Sequence, residues 1–283
     1  MEIFLATYLS YAKINLGLRI VSKRADGYHN LESIFQEISL ADELLIEKAD
    51  EFSLATNHPG LPVDETNLCT RTYRLLVAEY GIKGGLKIFI NKRIPLGSGL
   101  GGGSSNAATC LKAISQLFRL NLSKAEQLQL AARLGSDVPF FILGGTALVK
   151  GRGEVVIPIT FLKNYQIVLV YPGRVISTAQ IFNNLEIGLT KYRGGVKFEA
   201  VIFRIASLDD LSDYLFNDLE EVVSRVCPEI SGIKERLINC GARYVSLSGS
   251  GATVYGLFDL QTDLSNIKQE FPASYLVFTA NPR

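Results

Sequence analysis

"KRIPLGSGLGGGSSNAATCL", residues 92–111, places five glycines between Gly97 and Gly103, directly ahead of an Ala- and Leu-rich run. Glycine has no Cβ, so such a run lets backbone N–H groups converge and approach a ligand closely. Set before a helix, those donors add to the positive end of the helix dipole and make a phosphate site. The spacing predicts a helix over 104–117, with the hydroxyls of Ser104 and Ser105 in its first turn. A flexible linker is the alternative, but a linker does not need so clean a helix start.

Several known phosphate loops do not fit. A Walker A loop needs Lys after its last glycine, and none follows here. Gly97, Gly99 and Gly102 satisfy G-x-G-x-x-G, a weak signal alone. A dinucleotide fold wants that motif directly after a strand and an acid ~20 residues on. Here Arg93-Ile94-Pro95-Leu96 intervenes and the next acid is Glu126. The H-R-D and D-F-G motifs of protein kinases are absent.

Working outward, the first third reads as strands: "IFLATYLSYAKINLGLRIVS" (3–22), "DELLIEKA", "EFSLAT" and "GGLKIFINK". "ETNLCTRTYRLLVAEYGI" reads as a helix stopped by Gly81, and "SKAEQLQLAARLG" as a helix with a Ser123/Glu126 capping box and Gly135 as its terminal glycine. After "GTALVKGRGEVVIPI" the chain restarts with the strand "YQIVLVYPG". Helical readings follow at "STAQIFNNL", "LDDLSDYLFNDLEEVV", "PEISGIKERLINCGA" and "LSNIKQEF", with strands at "RYVSLS", "GSGATVYGLF" and "SYLVFTA". The pattern is α+β in two segments, 1–160 and 161–283, in a chain of 283 residues long enough for two domains.

The charge is nearly balanced, 29 Lys and Arg against 28 Asp and Glu, with no basic stripe, so an anionic partner must be met by a local site rather than by the whole surface. Nucleic acid is disfavoured on that ground. Cys69, Cys110, Cys227 and Cys240 form no C-x-x-C pair and have no nearby His, which excludes a zinc or disulfide framework and fits a cytoplasmic protein with reduced thiols. Glu2 and Lys13 argue against reading the apolar start as a signal peptide. "VPFFILGGTALV" is shorter than the ~20 residues a bilayer needs, so no membrane partner is expected.

The glycine stretch resembles the second motif of the GHMP kinases, P-x-x-x-G-L-G-S-S-A, through Pro95, Gly99-Leu100-Gly101 and Ser104-Ser105. "AKINLGLRI" resembles that family's first motif and "LSGSGATVYGLF" its third, so the three stand in order across residues 12–258. "RADGYHNLESIFQ" (24–36), "LGSDVPFF" (134–141) and "YPG" (171–173) narrow the resemblance to one branch. That branch phosphorylates the 2-hydroxyl of a cytidine-diphosphate-linked methylerythritol in the non-mevalonate (MEP) route to isoprenoid precursors. Tyr11, Gly17 and Ser136 depart from the usual Pro, larger apolar residue and Ala.

The resemblance implies a two-domain fold: an N-terminal ribosomal-protein-S5-like domain for ATP binding and catalysis, and a C-terminal ferredoxin-like domain, with the active site in the cleft between them. It makes Asp137 the catalytic base and Lys13 its electrostatic partner. On the residues alone, Asp137 beside Val138, Pro139 and Phe140 is either a costly, site-like carboxylate or a helix-terminal cap, and Lys13 in an apolar strand is either functional or solvent-facing. ATP binding is assigned to Pro95, Leu96, Gly97, Ser98, Gly99, Leu100, Gly101, Gly102, Gly103, Ser104 and Ser105, with Asn67 and Lys92 near the adenosine. Substrate binding falls to Asn15, on the Lys13 face, and to Tyr28, His29, Phe35 and Phe182 around the cytidine; plain core or surface roles are the alternatives. Ser248–Ala252 is either a second ligand-facing loop or a tight strand–helix turn. No acid follows the glycines closely, so no protein metal site is expected. Mg2+ would ride on ATP, with a share for Ser105. A monomer or weak homodimer is expected. The rivals are another GHMP small-molecule kinase and a nucleotide-binding protein without catalysis.

Overall fold

The computed structural model describes residues 6–185 and 197–283. The start of the first predicted strand, residues 3–5, lies outside them. The chain groups into two compact units, each discontinuous in sequence: residues up to 12, 41–96 and 101–143 in the first, and 13–40, 97–100 and 144–283 in the second. Two long strands, β1 (Ala6–Lys23) and β2 (His29–Ala49), contribute residues to both.

In the first unit the later half of β2 pairs antiparallel with β4 (Gly85–Asn91), from Glu43↔Asn91 to Ala49↔Gly85, and β3 (Ser53–Thr56) runs parallel to β4. Leu44, Ile46, Leu86, Ile88 and Ile90 are buried, with the spacing of strands that hide one face. Four helices complete the unit: α1 (Leu68–Tyr80), α2 (Gly102–Leu117), α3 (Lys124–Leu134) and α4 (Val138–Leu143). Helix α2 packs on α1, α3 and α4 and is buried without a break from Ser105 to Leu111, which is why Ala107, Ala108 and Ala113 recur in it: small side chains let three helices approach. Helix α1 begins where Asn67 accepts a bond from the Cys69 N–H (2.8 Å) and ends at Gly81, which is left-handed. The Ser123/Glu126 capping box opens α3 as the spacing predicts. Gly135 does close α3, but with φ 173 it is extended, so no glycine is required there.

In the second unit the earlier half of β2 pairs antiparallel with β5 (Thr146–Gly151), and β5 with β6 (Val155–Pro158). A second, antiparallel sheet is ordered β10-β7-β9-β8, built from β7 (Tyr165–Tyr171), β8 (Tyr244–Leu247), β9 (Val254–Asp259) and β10 (Leu276–Ala280). The short helices are α5 (Thr178–Asn183), α6 (Phe198–Val201), α7 (Leu211–Tyr214) and α8 (Glu220–Val226); the longer α9 (Glu229–Asn239) packs on β8 and β9.

Two sequence expectations are corrected here. The helix read through "LDDLSDYLFNDLEEVV" is broken between α7 and α8, because Asn217 forms a parallel bridge with Leu18 and the backbone there bonds to β1 rather than to itself. "LSNIKQEF" forms only a 3₁₀ turn, Ile267–Glu270.

Gly17, one of the departures from the family pattern, lies where a Cβ would come within 3.0 Å of the Phe198 ring and 3.3 Å of Leu215 Cβ. The glycine makes room for those two side chains.

Candidate active site

Gly97, Gly99 and Gly101 are all left-handed, with φ of 60, 79 and 71, so alternate positions of the run need glycine for the backbone alone. Gly99 also allows a close approach: a Cβ there would lie 2.1 Å from the Ser248 carbonyl oxygen. That puts the second and third glycine-rich motifs in backbone contact, and Thr253 N–H donates to the Ser98 carbonyl (3.2 Å). A Cβ on Gly97 would meet Val175 at 2.7 Å. Helix α2 follows with Gly101 as N-cap and no side-chain cap on its first-turn N–H groups, the arrangement that suits an anion.

Lys13 is 3% exposed in β1. Its ammonium donates to Asn15 Oδ1 (2.5 Å) and to the Gly99 carbonyl (3.1 Å), and stands 4.6 Å from the centre of the Phe35 ring. The solvent-facing alternative for Lys13 is therefore wrong. Asn15 does share its face, and its Nδ2 donates to Ser33 Oγ (2.9 Å), whose hydroxyl donates to the Gly17 carbonyl (2.5 Å). Ser33 escaped the sequence reading; its only sequence signal is its place in "HNLESIFQ". Ser248 Oγ donates to the same Gly99 carbonyl (3.0 Å). The Asn217 side chain, also missed, donates to the carbonyls of Leu247 (2.9 Å) and Gly249 (2.8 Å). Of the two readings for 248–252, the loop is thus a neighbour of the glycine run and Lys13, reached directly from β8.

Lys92 and Asn67 are engaged by their own unit. The Lys92 ammonium pairs with Asp42 (2.7 Å) and donates to the Ile94 carbonyl (2.6 Å), both side chains being buried. Burial pulls the Lys92 pKa down, against the opposing pull of Asp42. Asn67 caps α1 and also donates to the Pro62 carbonyl (2.6 Å). Ser105 is buried and its oxygen accepts from the Ser10 hydroxyl (2.8 Å), while Ser104 is partly exposed. Pro95 and Leu96 are partly exposed, Ser98 and Leu100 buried.

The aromatic candidates fall in separate places. His29 and Phe182 face each other, rings 5.4 Å apart. His29 is 7% exposed, its Nε2 is buried without a hydrogen bond, and burial together with Lys23 lowers its pKa. Tyr28 is 56% exposed, with the Arg152 guanidinium 5.1 Å from its ring. Phe35 is core, 2% exposed against Lys13. Asp137 occupies the half-buried turn ahead of α4, where Val138 N–H bonds the Gly135 carbonyl (3.3 Å). Among the described residues no group of three or more His, Cys, Asp or Glu is placed to hold a metal ion.

Comparison with known proteins gives the family. Residues 67–145 match the GHMP kinases N-terminal domain and residues 202–276 the GHMP kinases C-terminal domain. The 4-diphosphocytidyl-2-C-methyl-D-erythritol kinase of Desulfotalea psychrophila is 40% identical over 91% of this chain and 87% of its own length. That of Thermodesulfovibrio yellowstonii is 40% identical over 91% of each. A crystal structure of 4-(cytidine 5'-diphospho)-2C-methyl-D-erythritol kinase superposes with a TM-score of 0.78 at 31% identity, covering 98% of this chain and 99% of that one. The Methanococcus jannaschii mevalonate kinase shares the fold at 19% identity and a TM-score of 0.77 over 99% and 98%. The chain belongs to the GHMP kinases, with their two-domain fold, in the branch of the 4-diphosphocytidyl-2-C-methyl-D-erythritol kinases.

Proposed function

We propose that this enzyme transfers the γ-phosphoryl group of ATP to the 2-hydroxyl of 4-diphosphocytidyl-2-C-methyl-D-erythritol, in the non-mevalonate route to isoprenoid precursors. The observation that carries the reading is the Lys13 ammonium, buried and bonded to a carbonyl of the glycine run itself. A cation buried beside a phosphate-type loop suits a group whose charge spreads over its oxygens during transfer. Asp137 takes the proton of the 2-hydroxyl, the freed oxygen bonds to the γ-phosphorus, and the bond to the bridging oxygen breaks to release ADP. Lys13 stabilises the charge of the transferring group.

The run from Pro95 to Ser105 cradles the phosphates, with Asn67 and Lys92 supporting the nucleotide side from within their own elements. Asn15 orients Lys13 and reaches toward the substrate diol. Tyr28, His29, Phe35 and Phe182 serve the cytidine. The backbone N–H groups of the glycine run fit the phosphate oxygens and not a cation, so the magnesium ion would be carried by ATP with its waters, with a share for the Ser105 oxygen. When bound, the ion neutralises phosphate charge. The division at 160/161 separates the ATP-binding, catalytic part from the C-terminal part, and the enzyme acts in the cytoplasm as a monomer or weak homodimer without nucleic acid. Among the described residues no helix is long and apolar enough to cross a membrane.

The test is ADP release by the purified protein with Mg-ATP and, separately, 4-diphosphocytidyl-2-C-methyl-D-erythritol, mevalonate, homoserine or no acceptor. Turnover with the cytidine compound alone is expected. Turnover with another acceptor keeps the family and overturns the substrate, and ATP binding without any turnover supports a non-catalytic protein.

A further inference from the structure

The break between α7 and α8 is built around Asn217, which is 8% exposed. On one side the segment is fastened to β1: Leu18 N–H donates to the Phe216 carbonyl (2.8 Å), Asp218 N–H to the Leu18 carbonyl (2.9 Å), and Ile20 N–H to the Asp218 carboxylate (2.7 Å). On the other side the Asn217 amide, with two N–H donors, gives to the carbonyls of Leu247 and Gly249, while its oxygen accepts from Leu219 N–H (2.9 Å). Both N–H donors of this buried amide go to the loop after β8, its oxygen braces its own segment, and the backbone on either side of it is bonded to the strand that carries Lys13.

The tie reaches Lys13 within two contacts. A Cβ on Gly249 would lie 3.1 Å from Asn15 Oδ1 and 3.5 Å from Lys13 Nζ. Ser248 Oγ and Lys13 Nζ both donate to the Gly99 carbonyl. We infer that Asn217 is a positioning residue for phosphoryl transfer: its amide fixes the 247–249 backbone, which in turn fixes the Gly99 carbonyl and the Lys13 ammonium. This rests on the kinase reading above, in which Lys13 meets the transferring group. A misplacement of ~1 Å in such a site costs on the order of a hundredfold in rate.

The decisive variant is Asn217→Asp. It keeps the size and the acceptor for Leu219 N–H but loses both donors and sets a carboxylate against two carbonyls. The expected result is a kcat lowered at least ~10-fold with the KM for the acceptor within ~3-fold, the pattern of a lost transition-state interaction. Ser248→Ala cuts the far end of the same link and lowers kcat in the same direction. If the two act in series, the double variant loses far less than the product of the single losses. Hydrogen exchange reads the loop without turnover: the amides of Ser248, Gly251 and Thr253, bonded to Thr253, Ser248 and Ser98 carbonyls, should exchange faster in Asn217→Asp, with β7 unchanged. A folded Asn217→Asp enzyme with kcat within ~2-fold of wild type, or unaltered exchange in the loop, overturns the inference. Wild-type protein run alongside separates the two levels: silence of the wild type on every acceptor overturns the kinase reading itself, and the role in transfer with it.

Discussion

Asp42 is fully buried, and its carboxylate accepts from Lys92 Nζ, Asn106 Nδ2 and the backbone N–H groups of Arg93 and Ile94. It fixes the backbone at Arg93 and Ile94, yet in the sequence it is one acid among several in "LADELLIE". Two of its partners lie 50 and 64 positions away, so its role exists only once β2, β4 and α2 are packed. The glycine run is legible because its backbone chemistry is written within a short span, whereas Lys13, whose partner Gly99 is 86 positions away, stays open on the residues alone. Asp42→Ala strands the Lys92 ammonium in the interior, and such a loss costs about 3–5 kcal/mol. Denaturant unfolding should show that loss, and Asp42→Leu combined with Lys92→Met should recover most of it, since an apolar pair of similar volume replaces a buried ion pair at little cost.

His29 makes a second prediction at this scale. Burial, with Lys23 adding to it, lowers its folded pKa below the unfolded value of 6.5. The unfolded chain therefore binds the proton first, and stability falls as pH drops below 6.5 until the folded pKa is reached, with a slope of at most about 1.4 kcal/mol per pH unit. Replacing His29 by Gln should flatten the melting temperature between pH 6.5 and the lower end of that window. An unchanged slope would assign the acid sensitivity to other groups.

At the scale of elements, capping and periodicity were readable and tertiary bonding was not. Gly81, Ser123 and Glu126 announce helix ends through local hydrogen bonds, and all three do so in the fold, whereas Asn67, assigned to the adenosine side, turns out to cap α1. The α7–α8 break was not readable, because Leu215–Leu219 has helix-compatible residues and yields only to the competing bonds from β1. The glycine run shows how position within one element decides the outcome. Gly99→Ala combines a left-handed φ, worth ~1–2 kcal/mol against alanine, with a backbone oxygen 2.1 Å from the new Cβ. It should destabilise by more than ~2 kcal/mol and weaken ATP binding, because the 248–251 loop must move. Gly103→Ala, four residues on and inside α2, meets nothing closer than Leu68 Cδ1 at 3.9 Å. Its thermal stability should stay within ~1 kcal/mol of wild type, on the stabilising side if helix propensity dominates. Calorimetry on the two variants separates backbone need from mere glycine content; equal losses would mean the run is held by something other than these two constraints.

For the whole molecule, three motifs in order carried the family from sequence alone, and the domain matches at 67–145 and 202–276 agree with it. The grouping of residues into units was not legible, because β1 and β2 each divide between the two, and a chain read in order offers no sign of that. Nor does sequence order bear on which residues act together in transfer, so the assignment of the base is a matter for kinetics. Asp137 sits in the half-buried turn between α3 and α4. Asp137→Asn keeps the volume and removes the basic oxygen. Calorimetric titration should find ATP and acceptor bound with affinities near wild type, while kcat falls by ~10²–10⁴, the usual contribution of a general base. A variant that turns over at nearly the wild-type rate would transfer the role of base elsewhere, and one that also loses substrate affinity would make Asp137 a binding residue first.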